Sequence, residues 1–292
     1  MNDHYYRFKV GDFECIAIRD GSFNYPLESF FANVPREQIE AALGQHGMAT
    51  AQITTPYTAL FVDTGQHRVM IDTGAGNLGA GAAKLFPTVD HSTTVTGLLL
   101  QNLKAAGIEP EAIDTVIITH AHPDHVGGTL DDDGRPIFAN AGYFISKDEW
   151  DFWRSDIATA KIPAVFVTIT RKNLEPVEDR LTMIEGEAEI IPGIQALATP
   201  GHTPGHIALA IASGGEQLFH ISDVALYPLH LEHPDWTPVF DMLPEKAAAS
   251  KRRIFDRAAA ERGLVFAHHF PPFPNLGYVT QKGQGWQWQP VG

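Results

Sequence analysis

The stretch TVIITHAHPDHVGG, residues 115–128, places His120, His122, Asp124 and His125 within six residues, directly behind the apolar run Val116-Ile117-Ile118. Imidazole and carboxylate are the ligands of a borderline divalent metal such as zinc. His120 and His122 stand two apart, so on an extended segment they face the same side and can serve one ion. Pro123 then breaks the extended chain. Asp124 and His125, adjacent in sequence, diverge and are better placed to serve a second ion. Gly127 and Gly128 let the backbone turn tightly beside the cluster. A His-rich surface loop is the bland alternative, and fourteen histidines in the chain make some clustering expected. Position at the end of a buried strand sets this cluster apart from that alternative.

Other metal-ligand types occupy the same kind of position. His202 in TPGHTPGH follows a strand ending at Ala198, and Asp223 in HISDV follows one ending at Ser222. His268 and His269 in VFAHHF follow a strand beginning at Leu264. Side chains gathered at several strand ends converge at one edge of a sheet, a rigid platform for a site.

The elements that must carry them are legible as hydrophobic patterns. Strands are expected over 13–18, 57–62 and 68–71, the last two joined by a hairpin turn at Asp63-Thr64-Gly65-Gln66. Further strands fall over 116–119, 194–198, 207–212, 218–222 and 264–267. Helical patterns cover 35–43, 92–106 and 244–262, with Ser92 or Thr93 capping the second and Gly107 and Gly263 as stops. Residues 147–176, with Trp150, Phe152, Trp153 and Phe166, read as a helical insertion, and 22–48 as an aromatic N-terminal segment. This order of strands and helices predicts sheets covered by helices, an α/β or α+β layered sandwich, over a single domain 1–292.

Composition narrows the function. The formal charge is 21 − 35 = −14, which repels phosphate backbones and argues against nucleic acid as a partner. Cys15 is the only cysteine, so no internal disulfide can form and a reducing compartment fits. The N-terminal residues lack a basic segment followed by an apolar one, and no apolar run approaches the roughly 20 residues that cross a bilayer. The expectation is a soluble cytoplasmic protein with a small-molecule substrate and no membrane partner.

Taken together, HxHxDH at 120–125, GHTPGH at 201–206, SDV around Asp223, a late strand-end histidine and MIDTGAGN at 70–77 resemble the metallo-β-lactamase superfamily of dinuclear metallohydrolases. The resemblance implies a four-layer αββα sandwich of two mixed sheets flanked by helices. It implies two divalent ions, zinc first, with manganese, cobalt or ferrous iron compatible with the same ligands. His120, His122 and His202 would hold one ion, and Asp124, His125 and His269 the other, with Asp223 bridging. His269 is favoured over His268 because HFPPFPNLG resembles the family's tail. Asp72 would orient a ligand histidine. The implied chemistry is hydrolysis by a hydroxide shared between the ions, with Asp124 passing the proton to the leaving group. Tyr227 resembles the tyrosine with which lactonases of this superfamily contact the substrate carbonyl, although its spacing from Asp223 is one residue longer.

The segments GDFECIAIRDGSF, SDVALYPLHLEHPDW and HFPPFPNLG look most like the N-acyl-homoserine lactonase and methyl parathion hydrolase-like branch. The expected activity is lactone or ester hydrolysis of the quorum-quenching kind, extending to phosphotriesters. Two alternatives stand beside it: glyoxalase-II-like thioester hydrolysis, and a non-hydrolytic di-iron redox or signal-binding protein. The first would need basic residues for a glutathione carboxylate, and the run Lys251-Arg252-Arg253 reads instead as a solvated helix face. A dedicated β-lactamase is normally exported, which this N-terminus does not suggest. His206 is expected to bond locally, and His230 and His233 to sit in a solvated loop. Phe23, Phe30, Trp150, Trp153 and Phe166 suit either an apolar pocket or the core. Residues 22–48 either fence the pocket or form a homodimer contact.

Overall fold

Period-two alternation decides the architecture. In the computed structural model, which describes residues 4–48, 50–78 and 83–291, the strands form two seven-stranded sheets. The first sheet runs β1 (Tyr5–Val10), β2 (Phe13–Tyr25), β3 (Ile53–Asp63), β4 (Arg68–Ile71), β5 (Thr115–Ile118), β6 (Gly142–Ser146) and β7 (Leu181–Ile184), each beside the next. Its first four strands are antiparallel, and β4 to β7 are parallel. The second sheet runs β8 (Glu189–Ile191), β9 (Ile194–Ala198), β10 (Ile207–Ser213), β11 (Glu216–His220), β12 (Leu264–Phe266), β13 (Leu276–Lys282) and β14 (Gly285–Pro290). It is antiparallel except for the β11–β12 pair.

Successive side chains of a strand point to opposite faces, so each sheet has two apolar surfaces to cover. Cys15, Ala17, Leu60, Val62 and Ile117 face Ile194, Leu209 and Ile211 between the sheets. Ile16, Ile18, Phe61, Val116 and Ile118 point the other way, beneath α3 (Leu99–Ala105), α5 (Lys147–Arg154) and α7 (Ala164–Leu174). On the outer face of the second sheet, Ala208, Phe219 and Val265 lie under Ile254, Phe255 and Ala258 of α9 (Pro244–Glu261). The result is the four-layer αββα sandwich. The segment expected as a helical insertion forms α5, α6 (Asp156–Lys161) and α7, with Trp150, Trp153 and Val167 packed in the layer over the first sheet. Near the N-terminus, α1 (Leu27–Phe30) and α2 (Arg36–Gln45) pack Phe30, Phe31 and Leu43 against Leu226, Tyr227 and Trp236, around α8 (Leu229–Glu232).

Some expectations differ from the structure, each for a local reason. The helix expected over 92–106 begins only at Leu99. Val95 instead exchanges backbone hydrogen bonds with Ser22, and Gly97 takes a left-handed φ of 80°. Neither Ser92 nor Thr93 caps that helix; the Asp20 carboxylate, from β2, accepts the Leu99 N–H at 2.8 Å. The last helix ends with Arg262 at φ 52°, one residue before the glycine expected to stop it. Lys251 is not solvated: it is buried, and its Nζ donates to the carbonyls of Pro234 and Trp236 at 3.3 and 3.2 Å. His230 is buried as well, bonded to the Phe30 carbonyl at 2.8 Å.

The turn after β5 includes α4 (Pro123–Val126) and lies directly on the loop after β4. The Thr73 N–H donates to the His125 carbonyl at 2.7 Å, and the Gly128 N–H to the Gly74 carbonyl at 3.1 Å. A Cβ on Gly127 would stand 2.3 Å from the Ala75 oxygen. Gly127→Ala is therefore expected to destabilise the chain by about 1–3 kcal/mol in chemical denaturation, as overpacking does. An unchanged midpoint would show that the two loops are not in obligatory contact.

Candidate metal centre

Every side chain singled out for metal binding lies at the same edge of the sandwich. β5 is buried along its whole length, and the chain leaves it straight into His120 and His122. β9 leads to His202, β11 to Asp223 and β12 to His268 and His269. Two groups result: His120, His122, His202 and Asp223, and Asp124, His125, His268 and His269.

In the first group His122 Nδ1 lies 3.1 Å from His120 Nε2 and 2.9 Å from His202 Nε2. Asp223 Oδ2 stands 3.1 Å from His202 Nε2 and 3.6 Å from His120 Nε2. The same carboxylate faces the second group, with Oδ1 3.3 Å from His125 Nε2 and Oδ2 3.4 Å from His269 Nε2. His269 Nε2 is also 3.4 Å from Asp124 Oδ2. His268 makes no such contact with a carboxylate among the described residues. Its ring stacks on His125 at 4.1 Å between centroids, and neither of its nitrogens has a hydrogen-bond partner among the described residues.

Surrounding groups hold the rings in place. Asp72, at φ 59°, accepts His125 Nδ1 at 2.8 Å, the Thr119 N–H at 2.8 Å and the Thr119 hydroxyl at 2.8 Å. A carboxylate so placed fixes the orientation of the His125 ring. Asp241 does the same for His202, with Oδ1 3.0 Å from Nδ1, and nothing in the sequence around it signals that task. His206 bonds locally as expected, to the Thr199 hydroxyl at 2.8 Å and the Asp223 N–H at 3.1 Å.

The donor set tests whether a metal fits. His125 Nε2 and Asp223 Oδ1 are buried 3.3 Å apart across the two groups, and neither makes a geometric hydrogen bond among the described residues. Buried polar atoms are otherwise almost always paired. Imidazole nitrogens and carboxylate oxygens that converge while unpaired fit divalent cations.

Above the centre opens a cavity of about 540 Å³. Its walls include Tyr25, Phe30, Phe86, Phe166 and Phe240, with Leu99, Leu100, Leu130 and Ile137 on the aliphatic side, and Asp124, Asp223 and His269 also line it. Lys172 is the only lysine or arginine in the lining among the described residues. Tyr227 is not in the lining. Its hydroxyl donates to Met48 Sδ at 3.3 Å and its ring packs against Phe30 and Phe31. The tyrosines in the lining are Tyr25 and Tyr57, whose hydroxyls hydrogen-bond each other. They come from β2 and β3, far in sequence from the histidine motif, and no spacing signal ties them to it.

A layered αββα sandwich with two His/Asp groups at one sheet edge defines a metal-dependent hydrolase built for two divalent ions. A family model described as the metallo-beta-lactamase superfamily matches residues 54–268, and the chain belongs to that superfamily. The N-acyl homoserine lactonase AiiA of Bacillus thuringiensis subsp. kurstaki is 26% identical over 229 residues, covering 74% of this chain and 82% of the relative. AidC, a dizinc quorum-quenching lactonase solved with its product N-hexanoyl-L-homoserine, has a TM-score of 0.88 at 27% identity, covering 99% of this chain and 98% of that one. AbOPH, a hydrolase in the beta lactamase superfamily, has a TM-score of 0.86 at 28% identity, covering 100% and 99%. No helix among the described residues is long and apolar enough to cross a membrane.

Burial pushes the His122 pKa down to about 3, with neighbouring His202 adding to the effect. Burial also opposes charge on His202 and His269, yet Asp223, with Asp241 for the former and Asp124 for the latter, carries each up to about 9. Without metal these two rings hold an extra proton at neutral pH, and an ion must displace it. Metal binding near pH 7 is thus expected to release protons, and affinity to rise with pH up to about 9. Calorimetric titration of the metal-free chain with zinc, in buffers of different ionisation enthalpy, measures this. Binding without proton release would contradict it.

Proposed function

We propose that the protein hydrolyses neutral lactones or esters with a bulky apolar acyl or aryl group. His120, His122 and His202 hold one ion, Asp124, His125 and His269 the other, and Asp223 is shared between them. Zinc is the expected ion, as in dizinc AidC. Bound there, the ions supply Lewis acidity and bring the pKa of a coordinated water from about 15.7 towards 7, which gives a nucleophile at neutral pH.

The chain's own groups account for the remaining steps. Asp124 lines the cavity, and its carboxylate is held well below the usual range by His125 and His269 against the effect of burial. Its oxygen is placed to take the proton of the attacking water and return it to the leaving oxygen. Tyr25 and Tyr57 share one hydrogen bond between two hydroxyls, so one O–H proton remains to donate to a substrate carbonyl oxygen. Burial pushes both phenols well above their ordinary value, which keeps them protonated as donors. Phe30, Phe86 and Phe240 exclude water and cover the apolar substituent.

The observation that carries this reading is the cavity's balance of walls and charge. Apart from the proposed ligands, Asp20, Asp131 and Asp132 stand against a single lysine, Lys172, and the rest of the lining is largely apolar. Such a chamber suits a neutral substrate and offers no cluster of cations for a glutathione carboxylate. A neutral phosphotriester with an aryl leaving group would meet the same walls, which keeps that activity within the proposal.

Turnover of N-acyl-homoserine lactones, aryl esters, phosphotriesters and glutathione thioesters by the zinc-loaded protein tests the reading. Lactones or esters are expected to give the highest kcat/KM. Preference for the thioester, or inactivity on every neutral substrate, would overturn it. The double variant Tyr25→Phe/Tyr57→Phe is expected to lower kcat roughly 10-fold or more, as loss of a donor to a developing oxyanion does. Tyr227→Phe is expected to leave kcat near the wild-type value, and the reverse pattern would restore Tyr227 to the reaction.

A further inference from the structure

Glu149 belongs to neither histidine group, yet it touches both loops that carry the three-histidine group. It lies in α5, is fully buried, and has no lysine or arginine beside its carboxylate in any described hydrogen bond or ion pair. Oε1 accepts the Ala121 N–H at 2.8 Å and the Trp153 indole N–H at 2.7 Å. Oε2 accepts the Thr203 hydroxyl at 2.5 Å and the Gly205 N–H at 3.1 Å. Four donors fill the lone-pair positions of both oxygens.

The placement of those partners is what matters. Ala121 is the residue between His120 and His122, and Thr203 follows His202 directly. Thr170 of α7 secures the other side of Ala121, donating its hydroxyl to the Ala121 carbonyl at 2.6 Å. Gly205 lies so close that a Cβ there would stand 2.0 Å from the Glu149 nitrogen. His120 and His122 leave the first sheet while His202 leaves the second, so their spacing is not set by any one sheet. None of Glu149's bonds reaches Asp124, His125 or His269.

We propose that Glu149, backed by Thr170, is a positioning residue that clamps the His120/His122 loop to the His202 loop and so presets one of the two metal positions. The helical layer at 147–174 thereby acts on the metal centre without contributing a ligand. Buried carboxylates are expensive unless fully hydrogen-bonded, and here every bond goes to the two loops or to the clamp's own helix. The inference rests on the ligand assignment proposed above but not on the substrate, and its test reads metal retention rather than turnover.

The zinc-loaded protein is challenged with EDTA, and the ions remaining per chain are followed by elemental analysis, for wild type, Glu149→Gln and Thr170→Val. A glutamine amide offers one acceptor oxygen and turns its NH₂ towards donors, so at least one loop loses its hold. Valine removes only the hydroxyl. Both variants are expected to lose one ion about 10- to 100-fold faster than wild type, the usual effect of removing a group that orients ligands, while the other ion leaves at the wild-type rate. Equal rates for variants and wild type would overturn the proposal. So would accelerated loss of both ions together, which marks general loosening rather than a clamp on one position. If Glu149→Gln does not accumulate as folded protein, Thr170→Val decides the matter by the same readout.

Discussion

The Asp223 carboxylate is the one group that both halves of the centre share, and the rest of the structure is arranged so that it can be. It rises from the end of β11 in the second sheet, with Oδ2 3.1 Å from His202, which that sheet also supplies. Its other oxygen stands 3.3 Å from His125, in the short helix α4 that follows β5 of the first sheet. Two sheets packed face to face through one apolar layer bring their strand ends to a common edge. Without that layer the carboxylate would lose His120 and His125, the partners that follow β5, and keep only His202 and His269 of its own sheet. Divalent ions held there would offset the buried carboxylates of Asp124 and Asp223, which are costly to bury without such partners.

A second ring of acids makes the arrangement rigid. Asp72 fixes His125, Asp241 fixes His202, and Asp20 bonds the Ala75 N–H at 2.7 Å and so secures the loop that carries Asp72. Burial pushes the Asp20 pKa up to about 6 against the backbone donors that favour its charge. Each of these carboxylates comes from a different element, so each ties a ligand to a separate part of the scaffold. The cavity walls are built largely from more loosely patterned segments, 25–31, 85–100 and 226–240.

The local features of the site were readable in the residues and the distant ones were not. HxHxDH behind an apolar strand is a short-range pattern, and His202, Asp223 and His269 share its signature of a metal ligand just past a strand. The layered fold follows from strand alternation, although edge strands such as β1, β8 and β14 carry too little apolar pattern to stand out. Asp241, Tyr25 and Tyr57 have no motif: they matter only because the fold brings them to the site. Tyr227 carried a part only through the family resemblance, with a spacing from Asp223 one residue longer, and the aromatic segment that packs over 226–236 turns its hydroxyl to Met48. The start of α3 was missed because a carboxylate 79 residues away caps it.

The central claim is that these side chains form one centre for two ions rather than two unrelated histidine clusters. Elemental analysis of the intact protein loaded with zinc, beside Asp223→Ala, measures this most directly. The account predicts two ions per chain in the wild type, one for each group, and loss of occupancy at both positions when the shared carboxylate is removed. A wild-type stoichiometry of one, or a variant that still holds two ions as tightly as before, would contradict it.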